Sequence, residues 1–315
     1  MERHIMLLSV VISFRNEEEV LGELISRLQK TIRPLRIEYE IIFVNDDSTD
    51  RSFEILKEKA KEDSNIKVLN MSRVFGNGTC VLAGMKYSKG DAVVYMDADL
   101  QDPPELIPKL LEEFQKGADV VYTTRLSRQG ESAFKMWLTK RAYRFLGRVS
   151  KIKLPLDSGD FKLLARRVVN ELIRLKELDP FVRGLVTWAG FKQVAVFYDR
   201  EKRFAGKDHY PLFKGGPLKM FLAGLTGFST APLTLALYLG FSVAILSFLY
   251  LVAVLIMFFI GINIPGWTTI IAIILILGAT QLITTGFLGL YIGRIHDEVK
   301  NRPNFIVEST IGFEK

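Results

Sequence analysis

The sequence predicts an α/β domain built on a mainly parallel sheet, followed by a pair of membrane-spanning helices. Three observations carry that prediction. Through the first ~130 residues, short apolar runs alternate with amphipathic helical patterns, as strands joined by crossover helices do. Between Lys219 and Arg294 there is no Asp, Glu, Lys, Arg or His, a stretch far longer than a core helix of a soluble protein needs. Three of the expected strands end in polar clusters, and ligands bind beyond the carboxyl ends of parallel strands.

Taken in order, LLSVVISF reads as a strand and EEEVLGELISRLQKTI as a helix with apolar residues at helical spacing. EIIFVN is a strand ending in DDSTD, where Ser48, Thr49 or Asp50 caps the next helix. IKVLNMS is a strand, TCVLAGMKYS a helix and DAVVYMD a strand. PPELIPKLLEEFQK opens with the prolines typical of a helix start, and ADVVYTTR is again a strand. After Lys153 the pattern turns irregular through LPLDSGDFKLLARR, followed by a helix and then QVAVFYDREKRFAGKDHYP. No repeat or low-complexity segment interrupts the chain.

The charge-free stretch divides into spans over residues 232–260 and 268–292, separated by GINIPGW. Each exceeds the ~20 residues that cross a bilayer, and Pro265, the flanking glycines and Trp267 suit an interfacial turn. A buried helical hairpin is the competing reading. Arg200, Lys202, Arg203, Lys207, Lys214 and Lys219 precede the first span; Arg294, Lys300 and Arg302 follow the second. The positive-inside rule then puts both termini in the cytoplasm. The N-terminus reads as a strand, with no signal-peptide pattern, and the single cysteine, Cys80, fits a reducing compartment. The net charge of +7 is concentrated in part at residues 135–153, KMWLTKRAYRFLGRVSKIK. That segment predicts an amphipathic helix over about 134–150, suited to an anionic membrane surface. A solvated helix face is the alternative, and the adjacent spans argue against nucleic acid as a partner. The expected organisation is a domain over 1–210, a juxtamembrane segment over 211–231, a membrane hairpin over 232–293 and a tail over 294–315 of the chain.

The candidate chemistry lies at the strand ends. SFRNEEE supplies Asn16 and Glu17, VNDDSTD supplies Asp46 and Asp47, and MDADLQD supplies Asp97, Asp99, Gln101 and Asp102. Carboxylates this close repel one another unless a positive group sits among them. Asp97 and Asp99, in D-x-D spacing with Gln101 continuing the alternation, offer oxygen ligands to Mg²⁺ or Mn²⁺, ions usually shared with substrate phosphates. His4, His209 and His296 show no metal-ligand spacing.

FRNEEE, FVNDDSTD, NMSRVFGN, MDADLQDPPE, VVYTTR, DSGDF and RFAGKDHYP occur in that order. Together they resemble the polyprenyl-phosphate branch of glycosyltransferase family 2, which contains dolichyl-phosphate mannose synthases and bactoprenol glucosyltransferases. The resemblance covers the whole chain. MDADLQDPPELI, RRVVNELI, FVRGLVTWAGF and FYDREKRFAGK bring it nearer to the bactoprenol subgroup. It implies a GT-A type nucleotide-sugar-binding domain and inversion at the anomeric carbon. Carried onto this sequence, it implies that Asn16, Glu17 and Asp46 bind the nucleotide, and that Asp97, Asp99 and Gln101 hold the metal and diphosphate. Arg125 is implied at the nucleotide-sugar, and Arg200, Arg203 and Lys207 at donor or acceptor phosphates. Asp157 or Asp160 is expected to assist the acceptor, and Asp99 belongs to the catalytic set. The implied partners are a nucleotide-sugar, UDP-glucose foremost, a polyprenyl phosphate, the inner membrane and further copies of the chain, a tetramer among the options. GDP-mannose as donor and a non-catalytic nucleotide-binding subunit are the alternatives. The chain departs from the family pattern at Phe14, Arg15, Asn45, Asp47 and GNGTC after Phe75.

Overall fold

The computed structural model describes residues 6–128, 158–178, 180–200, 229–261 and 266–313, together with Arg141, Phe204 and Gly227. The expected amphipathic helix over 134–150, and Asp157, Arg203 and Lys207, lie outside the described residues.

The strands are β1 (Leu7–Phe14), β2 (Glu38–Asn45), β3 (Ile66–Met71), β4 (Ala92–Asp97), β5 (Val120–Arg128), β6 (Ser158–Ala165), β7 (Gln193–Arg200) and β8 (Val307–Ile311). They form one eight-stranded sheet in the order β7-β5-β6-β4-β1-β2-β3-β8. Neighbours β4, β1, β2 and β3 are parallel, as are β5 and β7, while β6 runs antiparallel between β4 and β5. The helices α1 (Leu21–Ile32), α2 (Ser52–Glu62), α3 (Asn77–Tyr87), α4 (Ile107–Gln115), α5 (Arg166–Leu172) and α6 (Val182–Trp188) accompany the sheet. It is a mixed, mostly parallel α/β fold, as the alternating pattern predicts.

Alternation along the strands sends side chains to two cores. Val10 and Ile12 meet Leu21, Leu24 and Leu28 of α1 and Leu110 of α4 on one face. Val11 meets Ala83 and Met85 of α3, with Val169 and Leu185, on the other. A strand covered on both faces is apolar throughout, and β1 is buried from Ser9 to Phe14. Helix α3 lies so close that a Cβ on Gly84 would stand 2.3 Å from Val11 Cγ1.

Three differences from the sequence reading concern position. The segment SGDFKLLA, expected to be irregular, is strand β6, because Phe161, Leu163 and Leu164 alternate into the two cores beside β4. The expected alternation does not continue through Gln101. Strand β4 ends at Asp97, and the chain turns through Leu100 at φ 56°. The C-terminal tail returns to the sheet as β8, antiparallel to β3.

Helices α7 (Ala231–Phe259) and α8 (Trp267–Val299) are 29 and 33 residues long, and both are apolar and long enough to cross a membrane. Helix α8 outlasts its expected end because Arg294, His296, Asp297 and Glu298 continue it as a charged final turn. That turn meets the α/β domain: the Leu178 N–H donates to Glu298 Oε1 at 3.2 Å, and Arg294 lies 3.8 Å from Glu177.

Candidate active site

Parallel strands deliver their carboxyl ends to one rim, and antiparallel β6 brings its amino end there as well. In register, Ser13 of β1 sits beside Asp97 of β4. Tyr95 pairs with Lys162, so Asp160, two residues toward the amino end of β6, falls beside Asp97. The D-x-D segment and the DSGDF segment, far apart in sequence, thereby become one site.

Asp97 is its centre. Asn77, the first residue of α3, donates Nδ2–H to Asp97 Oδ1 at 2.9 Å, while its own Oδ1 accepts from the Ser13 hydroxyl. Burial, then the charges of Asp160, Asp99 and Asp102, push the Asp97 carboxyl up to about 7, against the opposing charge of Arg183. Asp160 goes the other way. Burial opposes its ionisation, but the Arg183 guanidinium, together with the charges of Lys162 and Arg125, holds it below the ordinary carboxylate range. Arg183 Nε donates to Asp160 Oδ1 at 2.6 Å, and its Nη2 donates to Oδ2. Beside this pair, burial lowers the Lys162 ammonium to about 8 despite the favourable charge of Asp160. The buried Tyr95 hydroxyl has no hydrogen-bond partner among the described residues. Asp99 accepts the Gln101 N–H at 3.1 Å, which fixes the turn after β4.

A second cluster occupies the β5–β7 side of the rim. Asp102, 1% exposed, accepts from the Tyr198 hydroxyl. Its carboxylate lies 3.5 Å from Arg125 Nη2 and 3.6 Å from Arg200 Nε. Arg125 Nε donates to the Tyr198 oxygen at 3.2 Å. Burial and the Asp102 charge push the Tyr198 phenol up to about 12. Arg125 crosses β6 at Gly159, where a Cβ would stand 2.8 Å from its Nη2. One carboxylate thus holds two arginines, a combination with net positive charge.

The β1 and β2 ends make the third part. Asp46 accepts from the Phe75 N–H at 2.6 Å and the Gly76 N–H at 3.0 Å, anchoring the turn into α3. Asn16, at φ 54°, accepts the Thr49 N–H at 2.8 Å and donates its own N–H to Ser48 Oγ at 3.0 Å. Glu17 is buried, with its N–H on Ser52 Oγ at 3.0 Å. Asp50 accepts the Ser52 N–H at 3.0 Å at the start of α2, close to its expected capping role.

The structure gathers Asn16, Glu17, Asp46, Asp97, Asp99, Gln101, Arg125, Asp160 and Arg200 along this rim. Sequence reasoning passed over Asn77, Gly159, Lys162, Arg183 and Tyr198. Arg183 stood in FVRGLVTWAGF and Tyr198 in FYDREKRFAGK, both recognised as segments but without roles for these side chains. Pairing across β4, β6 and α6 supplies the missing signal.

Among the described residues, no three His, Cys, Asp or Glu side chains form a metal cage. The donor set still fits a hard divalent cation. Asp97 and Asp99, with one residue between them, could offer carboxylate oxygens, Gln101 could add an amide oxygen, and the crowding at Asp97 is what a cation would relieve. Mg²⁺-type sites use one or two carboxylates and complete their shell with water and substrate phosphate.

The sequence profile described as "Glycosyl transferase family 2" matches residues 9–173. The chain is 45% identical over 315 residues to an uncharacterized glycosyltransferase, YkcC, of Bacillus subtilis (strain 168), covering 100% of this chain and 97% of that one. It is 42% identical to the uncharacterized glycosyltransferase sll0501 of Synechocystis sp., covering 98% and 96%. It is 38% identical to the SfII prophage-derived bactoprenol glucosyl transferase of Shigella flexneri, covering 97% and 98%.

Proposed function

The chain belongs to glycosyl transferase family 2, and from that premise we propose that it moves a sugar from a nucleotide-sugar to a polyprenyl phosphate at a membrane surface. The observation that carries the reading is Asp97, pushed up to about 7 among acidic neighbours at the rim where β1, β2 and β4 end. The acceptor follows from the two long apolar helices and from a relative named as a bactoprenol glucosyl transferase. The same relative's name supports glucose as the sugar, and UDP-glucose is the proposed donor.

Asn16, Glu17 and Asp46 take the nucleotide at the β1 and β2 ends. Asp97, Asp99 and Gln101 would hold Mg²⁺ or Mn²⁺, which supplies charge neutralisation for a leaving diphosphate. Arg125 and Arg200, fixed by Asp102, present planar donors suited to phosphate oxygens, with Arg203 and Lys207 following in sequence. A phosphate monoester has its second pKa near ~6, so an acceptor phosphate is largely dianionic at neutral pH and asks little of a general base. Asp160, kept ionised by Arg183, is accordingly an orienting charge rather than a proton acceptor. Asp157 is the remaining candidate for taking a residual proton. Attack by the acceptor phosphate on the face opposite the leaving group inverts the anomeric carbon. The domain works on the cytoplasmic side, with both termini there, and the chain acts as a homo-oligomer.

The test is direct. Membranes containing the protein are incubated with radiolabelled UDP-glucose, GDP-mannose, UDP-galactose or UDP-N-acetylglucosamine, polyprenyl phosphate and Mn²⁺ or Mg²⁺. The expected result is label from UDP-glucose in the lipid phase. Label from GDP-mannose instead would correct the donor, and no lipid labelling from any donor rejects the reading.

A further inference from the structure

We infer that Asn77 is a positioning residue that fixes the Asp97 carboxylate for a divalent cation; the inference rests on the metal reading of the site above. Three elements meet at this side chain. Ser13 ends β1 and lies in register with Asp97 at the end of β4. Asn77 opens α3 and bridges the two.

With Asp97 ionised, as it must be to hold a cation, the bridge has one workable orientation. An ionised Asp97 offers acceptors and no donor, so the Asn77 amide must turn Nδ2 toward it. The Ser13 hydroxyl then donates to the remaining Asn77 Oδ1. Both ends of the amide are engaged, and Asp97 Oδ1 receives its hydrogen bond at 2.9 Å. That hydrogen bond falls on one carboxylate oxygen, Oδ1, and we assign the other, Oδ2, to the cation.

The backbone that carries the amide is closely packed. A Cβ on Gly78, the next residue, would stand 2.4 Å from the Pro180 carbonyl oxygen. The first turn of α3 therefore lies against the backbone that leads into α6, whose Arg183 holds Asp160. From the turn before α3, Gly76 adopts φ 93° and gives its N–H to Asp46 at 3.0 Å. The start of α3 is thus tied on both sides, at Asp46 and at Pro180, with Asn77 between them. Hydrogen-bonding partners that orient a metal ligand tune its affinity, and losing one typically costs about 10–100-fold.

The experiment measures metal binding without turnover. Full-length protein in detergent, with UDP present, is titrated with Mn²⁺, and free Mn²⁺ is followed by its EPR signal. Asn77→Ala is expected to bind Mn²⁺ about tenfold more weakly than the wild type. Ser13→Ala leaves the amide in place but free to turn, and is expected to lose about threefold. Asp97→Asn is the control for the metal reading itself. Wild-type binding by Asn77→Ala, with binding lost in Asp97→Asn, overturns the positioning role and leaves the metal assignment standing. Wild-type binding by Asp97→Asn overturns the metal assignment and the positioning role with it. If Asn77→Ala does not fold, Ser13→Ala decides: wild-type affinity there overturns the inference.

Discussion

At Gly159 a methyl group would stand 2.8 Å from the Arg125 guanidinium, which itself spans Asp102 and Tyr198. Gly159→Ala is therefore expected to displace Arg125 while leaving the cores intact. Transfer should fall about tenfold in kcat/KM, a loss of about 1.4 kcal/mol in transition-state binding, with little change in Tm. Lys162 gives a prediction with a pH signature. Its folded-state ammonium is lowered by burial to about 8, whereas an unfolded lysine holds its proton to about 10.4. Between those values the unfolded chain binds more protons, so stability rises with pH across that window. Thermal melts from pH 7.5 to 10 are expected to show this rise in the wild type and to lose it in Lys162→Met. Neither residue was legible as functional from the sequence. A glycine inside DSGDF and a lysine inside an apolar run acquire meaning only when β6 is paired between β4 and β5. The place of Asp97, Asp99 and Asp46 at the rim was legible, because they follow apolar runs that read as parallel strands.

Helical spacing announced α1: Leu21, Leu24, Ile25, Leu28 and Ile32 are its buried face. The parallel strands were equally plain, since strands covered on both faces read as continuous apolar runs. The helix expected from Glu17 begins instead at Leu21, because the N–H groups of Glu17 and Glu18 are taken by Ser52 and Asp50. Strand β8 was hidden for a different reason. Its burial is slight and it lies at an edge, so VESTI carries little periodicity. Its contribution is nonetheless specific. Ser72 N–H donates to Ile306 O at 3.1 Å, Phe313 stacks edge-on to Tyr87 with centroids 5.5 Å apart, and Asn70 donates to Glu308 at 2.7 Å. Ending the chain after Pro303 uncovers the β3 edge and removes Phe305 and Phe313. The expected cost is about 3 kcal/mol, seen as a Tm about 5–10 °C lower. An unchanged Tm would show that β8 is decoration.

The whole molecule joins an acidic rim to a pair of helices long and apolar enough to cross a membrane, in a chain of net charge +7. The charge-free stretch made the hairpin the clearest feature of the sequence, and α7 and α8 bear it out as helices long enough to span. What composition could not reveal is how the two parts are tied. Arg294 and Glu298 at the end of α8 engage Glu177 and Leu178, and the chain then returns to the sheet as β8. Those contacts join the end of α8 to the α/β domain. The central claim is that the Asp97–Asp99 turn drives glycosyl transfer to such an acceptor. It is tested most directly by following radiolabelled UDP-glucose into polyprenyl phosphate, with the wild type, Asp97→Ala and Asp99→Ala compared at equal folded protein and saturating Mn²⁺. The account predicts lipid labelling by the wild type and a loss of at least about a hundredfold in each variant. Full lipid labelling by both variants would contradict it.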